Sequence, residues 1–476
     1  MPPKNLLNKA ALCFAISLIT AATAQAGVRM NSMCYLQNKD NAEVTPFNPT
    51  KSEVAKSKFL KKFKTNINEE DLETKFRIAS LSKVLTSHWA IAKLGPEYRF
   101  ETKIFVTPGV SQTSCNLHFE GDMDPYMGRD MLNTVFPQIR TVLKERKCTK
   151  VDTISYDENF RVLLGVMSHQ KNESIGWDNP AAMVRPARTD ADFKLYLQHK
   201  SQLKYDAKKV GPISKERYHA YLHDVPYKLF SFKSRPLHMM LRDFNKFSFN
   251  YPPEILFEKL GGSAAYVSFI HQRLGFAWNS VEMYNGSGYP VGSEDNKSYN
   301  LVSCTAIVKI IQDLDNLLAN SKASRPYQLA DVMAVGGTGE TYSTFKKLYA
   351  SSTFQNSLVA KTGSANLAIT FGGMLNTKEG HLYFAVLTRP DVYGGRDTDN
   401  ARFYIRDLIQ TMANRNTIAR FPYAQTGDMS PTDSSSKLVE LNVAASTTPI
   451  AQPPSIEKSV DKVIKSAKQK ISLKKS

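Results

Sequence analysis

Apolar residues recur at helical spacing in several parts of the chain, with short β-like runs between them. Leu81, Val84, Leu85, His88 and Ala92 share one helical face, and Gly95-Pro96 stops that run. Leu237, Met240, Leu241 and Phe244 repeat the spacing. After a short break, Pro252-Pro253 suits the first turn of a second helix that ends at Gly261-Gly262. Phe403, Leu408, Ile409 and Met412 mark a closing helix. The β signal is clearest over residues 357–388: SLVAKTG reads as one strand, and LAITFGGML and HLYFAVLTRP as a hairpin about the Asn376–Gly380 turn. Three further runs, FETKIFV, CNLHFEG and VDTISYD, are separated by turn signals such as Gly121-Asp122 and Asp124-Pro125.

This alternation divides the chain. Residues 27–99 and 234–424 read as two parts of one domain, and residues 100–233 as a second domain inserted into it. Within the first part, residues 27–71 are lysine-rich and weakly periodic, which predicts a peripheral strand or helix. Residues 185–224 are polar, with Tyr196, Tyr205, Tyr218 and Tyr221 interspersed. From about residue 425 the composition turns Ser/Thr/Pro-rich and then basic, so 425–476 reads as linker and tail. In the tail Ile456, Val460, Val463, Ile464, Ala467 and Ile471 keep helical spacing. Seven lysines there oppose only Glu457 and Asp461, giving 7 − 2 = +5. A basic amphipathic segment of this kind suits an anionic membrane or wall polymer.

At 476 residues the chain exceeds one ordinary core, and 42% hydrophobic with 22% charged residues fits a globular protein. Residues 1–26 have the three parts of a secretory signal peptide: Lys4 and Lys9, the apolar run Ala10–Ala22, and Ala24-Gln25-Ala26 for cleavage. Cleavage would reduce the formal charge of +18 to 18 − 2 = +16. That charge asks for an anionic neighbour. An exported protein in the periplasm does not meet nucleic acid, which leaves wall and membrane. Cys34, Cys115, Cys148 and Cys304 lack metal-type spacing, and an oxidising compartment lets some of them pair. Cys115 and Cys148 are the expected pair, because a cross-link compensates for the limited core of a small insertion.

Ser80 and Lys83 are three residues apart at the start of the first helix, close enough for the amine to reach the hydroxyl. Serine becomes a useful nucleophile when a base takes its proton, and lysine is such a base once burial or positive charge depresses its pKa. The spacing alone says little, since Ser-x-x-Lys recurs at Ser201/Lys204, Ser343/Lys346, Ser434/Lys437, Ser459/Lys462 and Ser472/Lys475. Ser248-Phe249-Asn250 falls in the break between two helices, a connection anchored on both sides. It competes with Ser298-Tyr299-Asn300 and Ser364-Ala365-Asn366. Lys361-Thr362-Gly363 ends a strand.

Taken in order, Ser80-x-x-Lys83, Ser248-x-Asn250 and Lys361-Thr362-Gly363 form the motif set of penicillin-binding proteins and class A β-lactamases. The longer strings FRIASLSKVLTSHWAIAKLGPEYRF, EGDMDP, YDENF, GWDNPA, PLHMMLRDFNKFSFNYPPEILFEKLGG, NGSGYP, VGGTGETYSTF and VAKTGSANLAITFGGML make the match more specific. Over roughly residues 72–412 the sequence resembles the class C low-molecular-mass penicillin-binding proteins, exported D-alanyl-D-alanine carboxypeptidases and endopeptidases of peptidoglycan.

The resemblance implies an α/β (α+β) penicillin-binding-protein/β-lactamase-like transpeptidase fold. An antiparallel sheet is flanked by helices, Lys361-Thr362-Gly363 lies on an edge strand, Ser80 begins the central helix, and a mostly β domain is inserted. It also implies roles. Ser80 is the nucleophile and Lys83 its base, Ser248 relays a proton to the leaving amine, and Asn250 bonds substrate and Lys83. Lys361 and Thr362 hold the terminal carboxylate, Gly363 lets substrate lie close, and the N–H groups of Ser80 and Ser364 face the oxyanion. Peptidoglycan peptides are the implied substrates and β-lactams the covalent inhibitors, with no metal or organic cofactor. The sequence departs from the family at Phe249, at Pro252-Pro253, at Asn285 where an aspartate is usual, and in a short Ser80-to-Ser248 interval. A β-lactamase, or a non-catalytic wall-binding protein with Phe249 across the site, are the alternatives.

Overall fold

The computed structural model describes residues 28–38, 42–62, 72–162, 209–277, 279–293, 296–337, 351–390, 395–423 and 432–442, together with Phe193, Leu197, Ala207 and Tyr349. The leader over 1–26, the GWDNPA string, most of the Tyr-containing polar stretch before residue 209 and the basic tail beyond 442 lie outside the described residues.

The predicted hairpin is the centre of an antiparallel sheet. Its six strands run in the order Ala334–Val335, Leu358–Ala365, Ala368–Thr377, Gly380–Pro390, Val28–Gln37 and Thr45–Pro46. Ala368–Leu375 is buried without alternation, the mark of a strand covered on both faces. On one face Gly372 lies against Leu81 and Ile311. On the other, Tyr349 stacks on Phe371 with ring centroids 4.6 Å apart. The helix Gly395–Arg415 buries Leu408, Ile409 and Met412, three of the four residues that predicted it, while Phe403 stacks on Phe59.

Val28–Gln37 is not peripheral as its weak periodicity predicted. It pairs with Gly380–Pro390 from Val28↔Pro390 to Gln37↔Leu382. Its hydrogen-bond partners are remote in sequence, so no local pattern announces them. Cys34 also forms a disulfide with Cys304, the first residue of the helix Cys304–Ala319.

Helix Ser82–Leu94 is buried all round from Ser82 to Ile91, which makes it the axis of the catalytic body. Trp89 packs edge-on against Phe257 and Tyr266. The proline-started helix is present as Tyr251–Lys259, following Leu237–Phe247 after a three-residue break.

A second six-stranded sheet runs Leu438–Leu441, Lys228–Lys233, Glu101–Pro108, Ser114–Glu120, Lys150–Tyr156 and Lys209–Pro212. The chain leaves the catalytic body and returns to it on paired strands, Glu101 facing Lys233. Two features differ from the strand-only reading. Ser114–Glu120 and Lys150–Tyr156 are parallel, and parallel strands need a crossover. Helix Arg129–Glu145 supplies it, burying Met131, Leu132, Val135, Phe136, Ile139 and Leu143 at helical spacing. The linker reading from 425 also fails at Leu438–Leu441, which pairs with Lys228–Lys233 and so extends this sheet. Four residues among Ser and Asp carry too little pattern to show that locally. The disulfide expected between Cys115 and Cys148 is present.

The EGDMDP turn joins the two bodies. Tyr98 and Lys259 both bond the Asp122 carboxylate, and the Tyr126 hydroxyl donates to the Met240 carbonyl at 3.1 Å.

Candidate active site

Ser80 stands in a tight 3-10 turn, Ala79–Leu81, that feeds directly into the helix Ser82–Leu94. The turn forces Ala79 to φ +47°, in the left-handed region unfavourable to a β-carbon. Its surroundings hold it there. The Ser82 hydroxyl donates to the Ala79 carbonyl at 2.7 Å, and the Thr370 hydroxyl to the Ile78 carbonyl at 2.9 Å. Two glycines permit the close packing. A β-carbon on Gly288 would lie 1.8 Å from the Ala79 carbonyl oxygen, and one on Gly363 would lie 2.6 Å from that of Ile78.

Lys83 is fully buried one turn along. Its Nζ lies 2.9 Å from Ser80 Oγ, 2.7 Å from Asn250 Oδ1 and 2.9 Å from the Ser287 carbonyl oxygen. Burial pushes its pKa well below the usual lysine value. The Lys361 ammonium pushes in the same direction, and Glu254 opposes them. The neutral amine has two N–H groups and one lone pair. A carbonyl and an amide oxygen only accept, so they take the two N–H groups. The lone pair is then left facing Ser80, the one partner that can donate.

The second triplet bridges to the third. Ser248 sits at φ +61°, ψ +35°, closing helix Leu237–Phe247, and Asn250 caps Tyr251–Lys259. Phe249 stacks on Phe247 at 5.6 Å and packs against the core, so its ring is engaged there rather than across the site. Lys361, also fully buried, donates from Nζ to Ser248 Oγ at 3.0 Å and to the Thr362 carbonyl at 2.8 Å. Burial brings its pKa down to about 7. The short strand Ala334–Val335 pairs only with Ala360 and Val359, so no described strand covers the outer edge from Lys361 to Ala365. Thr362, Gly363 and Ser364 lie along that edge. The Ser364 hydroxyl accepts from Arg402 at 3.3 Å.

Ser80, Lys83 and Asn250 thus form one hydrogen-bonded group, and Ser248 with Lys361 another, with the Ser248–Asn250 turn common to both. The competing Ser298-x-Asn300 triplet does other work. Ser298 ends a hairpin strand, Asn296–Ser298, while buried Asn300 donates to Ser82 Oγ and the Asn285 carbonyl, both at 2.9 Å.

Sequence reasoning missed Glu254 and undervalued the Asn285–Tyr289 loop. Glu254 is half-buried on the first turn after Asn250, accepting from the Gly286 N–H at 3.2 Å and the Ser287 N–H at 3.0 Å. Its position four residues after Asn250 was the available signal. Asn285 accepts from the Gly288 N–H at 2.8 Å and donates to the Tyr289 carbonyl. An aspartate could do the first but not the second, so the departure at this position has a local structural use.

Known proteins resemble this chain in sequence and fold. The profile of the D-Ala-D-Ala carboxypeptidase 3 (S13) family matches residues 61–159 and 218–411. A predatory peptidoglycan endopeptidase from Bdellovibrio bacteriovorus is similar over 87% of this chain and 100% of its own, at 26% identity and a TM-score of 0.70. Its penicillin G-acylated form, in complex with an immunity protein, is similar over the same shares at 27% identity and a TM-score of 0.67. Penicillin-binding protein 4 from Haemophilus influenzae shares the fold at 14% identity, over 81% of this chain and 96% of its own, with a TM-score of 0.52. No curated protein sequence matches the chain.

Proposed function

Because the chain belongs to the D-Ala-D-Ala carboxypeptidase 3 (S13) family and is a serine hydrolase, we propose that it is an exported peptidase of peptidoglycan, cleaving D-alanyl bonds in stem peptides or cross-links through an acyl-serine at Ser80. The observation that carries this reading is Lys83, buried beside Lys361 and bonded to Ser80, Asn250 and the Ser287 carbonyl.

Ser80 Oγ attacks the D-alanyl carbonyl while its proton passes to the Lys83 lone pair. The resulting oxyanion lies between the backbone N–H groups of Ser80 and Ser364. Collapse breaks the peptide C–N bond, and the departing nitrogen takes a proton from the Ser248 hydroxyl; Ser248 is replenished from Lys361 and Lys361 from the Lys83 ammonium, so the amine of Lys83 is neutral again. Lys361, with Thr362, meets the carboxylate of the leaving residue, and binding that anion favours the protonated lysine. A water then attacks the ester, its proton passing to the neutral amine of Lys83 and on to Ser80 Oγ as the ester C–O bond breaks, which frees the acid and restores Ser80. Gly363 and the open strand edge let the peptide lie alongside. A β-lactamase would need a further base for that water. The carboxylate of this network, Glu254, has both oxygens engaged by backbone N–H groups, which favours the peptidase.

Periplasmic localisation rests on the leader sequence, and contact of the basic tail with an anionic membrane or wall polymer on its lysine pattern. Comparing the protein with a version ending at residue 442 in sedimentation with anionic vesicles and purified wall tests the tail. A version ending at 424 would also remove the Leu438–Leu441 strand.

The reaction is tested with labelled penicillin and with defined stem peptides and cross-linked dimers. A stable adduct on Ser80 and cleavage at a D-alanyl bond are expected, and Ser80→Ala should lose both. An adduct on another serine, or penicillin hydrolysed at many turnovers per second, would sink the proposal.

A further inference from the structure

Beside the Lys83 site, among the described residues, stands a half-buried acid that the reaction scheme does not use. Glu254 lies on Tyr251–Lys259, whose N-terminal cap, Asn250, accepts from Lys83. Its two oxygens separately accept the N–H groups of consecutive residues, Gly286 and Ser287. The same short segment is held from the other side by the nucleophile helix. Thr86 Oγ1 donates to the Gly286 carbonyl at 2.8 Å, and Lys83 Nζ donates to the Ser287 carbonyl at 2.9 Å. The peptide plane between Gly286 and Ser287 is therefore held at its N–H by Glu254 and at its carbonyl by Thr86, and the next plane at the Ser287 carbonyl by Lys83 and at the Gly288 N–H by Asn285.

We propose that Glu254 is a positioning residue for acylation: its carboxylate holds the Gly286 and Ser287 N–H groups of the segment whose next carbonyl, that of Ser287, takes one N–H of Lys83, and its charge is the counter-charge to Lys83. This rests on the reading of Lys83 as the base for Ser80.

The geometry explains why an acid stands here. A carboxylate accepts two N–H groups at once, whereas a glutamine in the same place would turn its NH2 toward one of them. If the Ser287 carbonyl rotated away, one Lys83 N–H would lose its acceptor and the lone pair would no longer be confined to Ser80. The charge has a second effect. Lys83 is buried, and the Lys361 charge beside it adds to the drive that takes its proton off; Glu254 works against that. Other ionisable groups stand on the packed elements. His88, on the same helix as Lys83, faces Asp313 at 2.6 Å, and Asp313 also binds Arg273. On Leu237–Phe247, Asp243 pairs with Arg235; Arg242 and Lys246 are the remaining buried charges of that helix. The charges acting on Lys83 are Lys361 and Glu254.

The test follows the rate of Ser80 acylation by labelled penicillin against pH in the full chain and in Glu254→Gln. Losing the bidentate contact should lower the plateau about tenfold, the order expected for a lost hydrogen bond to a charged group. Losing the negative charge lets Lys83 shed its proton more easily, so the acidic limb should move down by on the order of one pH unit. A lower plateau with an unmoved limb would reduce Glu254 to a loop anchor and overturn the proposal. A second measurement leaves Glu254 in place. In Lys83→Met the carboxyl loses its cation, and infrared spectra should gain a protonated-carboxyl band that is missing from Lys83→Met/Glu254→Gln. No such band means that the two groups are not coupled, which also overturns the proposal. Failure of wild-type labelling at Ser80 would instead refute the functional reading, and the infrared comparison does not depend on labelling.

Discussion

Two buried lysines approach the Ser248–Asn250 turn, and their surroundings differ. Lys83 has three fixed oxygen partners, Ser80, Asn250 and the Ser287 carbonyl, with a cation and an anion acting on it. Lys361 has two, Ser248 and the Thr362 carbonyl, and burial alone lowers its pKa, to about 7. Lys83 stands in a helix buried on every side, whereas Lys361 stands where a covering strand stops. Residue type and burial are the same. What separates a proton acceptor from a binder of anions is the number of fixed partners and the access of substrate. Lys83 is saturated, so when it is neutral its two acceptors set which way its lone pair faces. Lys361 has an ammonium position to offer an incoming carboxylate.

Removing each lysine is the strongest way to break that contrast. Lys83→Ala should slow acylation by roughly 10²–10⁴, the range for a lost general base. The loss should be equal for substrates with and without a carboxylate on the leaving residue. Lys361→Ala should cost about 10–100-fold in kcat/KM, as for a lost charged hydrogen bond of about 1.5–3 kcal/mol, and mainly with the carboxylated substrate. Equal losses with both substrates in both variants would erase the distinction.

The turn between the lysines offers a comparison of its own. Ser248→Ala should lower kcat by roughly 10–100-fold, because the departing nitrogen loses its proton donor. Ser298→Ala, on the hairpin strand, should stay within about 0.5 kcal/mol of wild type. Steady-state kinetics on one peptide substrate ranks the two, and the reverse order would relocate the second motif.

The pH dependence separates the lysines without mutation. Lys83 must be neutral to act, so the rate should fall as pH drops through its depressed pKa. Lys361 must be charged to bind an anion. In the free enzyme that form is lost as pH rises past about 7, so kcat/KM for a carboxylated substrate should decline above neutrality. A substrate without the carboxylate should keep the acidic limb and largely lose the alkaline one. An alkaline limb of equal size in both would remove Lys361 from anion binding.

The smallest effect on activity is expected furthest from the two lysines. Replacing Cys115 and Cys148 by serine should destabilise the second sheet by about 2–4 kcal/mol, the usual worth of such a cross-link, in denaturant unfolding. Ser80 labelling should be unchanged, since both cysteines lie outside the catalytic body. A large loss of labelling would mean that the second sheet helps to shape the site through the Asp122 and Tyr126 contacts.

Local chemistry made much of this molecule legible. Helical spacing located Ser82–Leu94, Leu237–Phe247 and Gly395–Arg415, because an amphipathic or buried helix writes its contacts into neighbouring turns. The adjacent prolines announced Tyr251–Lys259, and the turn at 376–380 announced the hairpin. Helix Arg129–Glu145 was equally periodic and was passed over among the strand runs around it.

Other features have no local signature. Val28–Gln37 and Leu438–Leu441 are defined by pairing with Gly380–Pro390 and Lys228–Lys233, strands hundreds of residues away. Cys34–Cys304 depends on the first of those pairings. Spacing and turn residues act within a few positions, so the chemical groups, their order and the elements that carry Ser80, Ser248 and Lys361 are written locally in the chain. Tertiary structure decided which Ser-x-Asn triplet meets the lysines and that a loop carbonyl completes the Lys83 site. It also decided that Glu254 stands behind that loop. Each is a contact between distant segments, fixed by close packing that glycine permits at Gly288 and Gly363 and that no local pattern encodes.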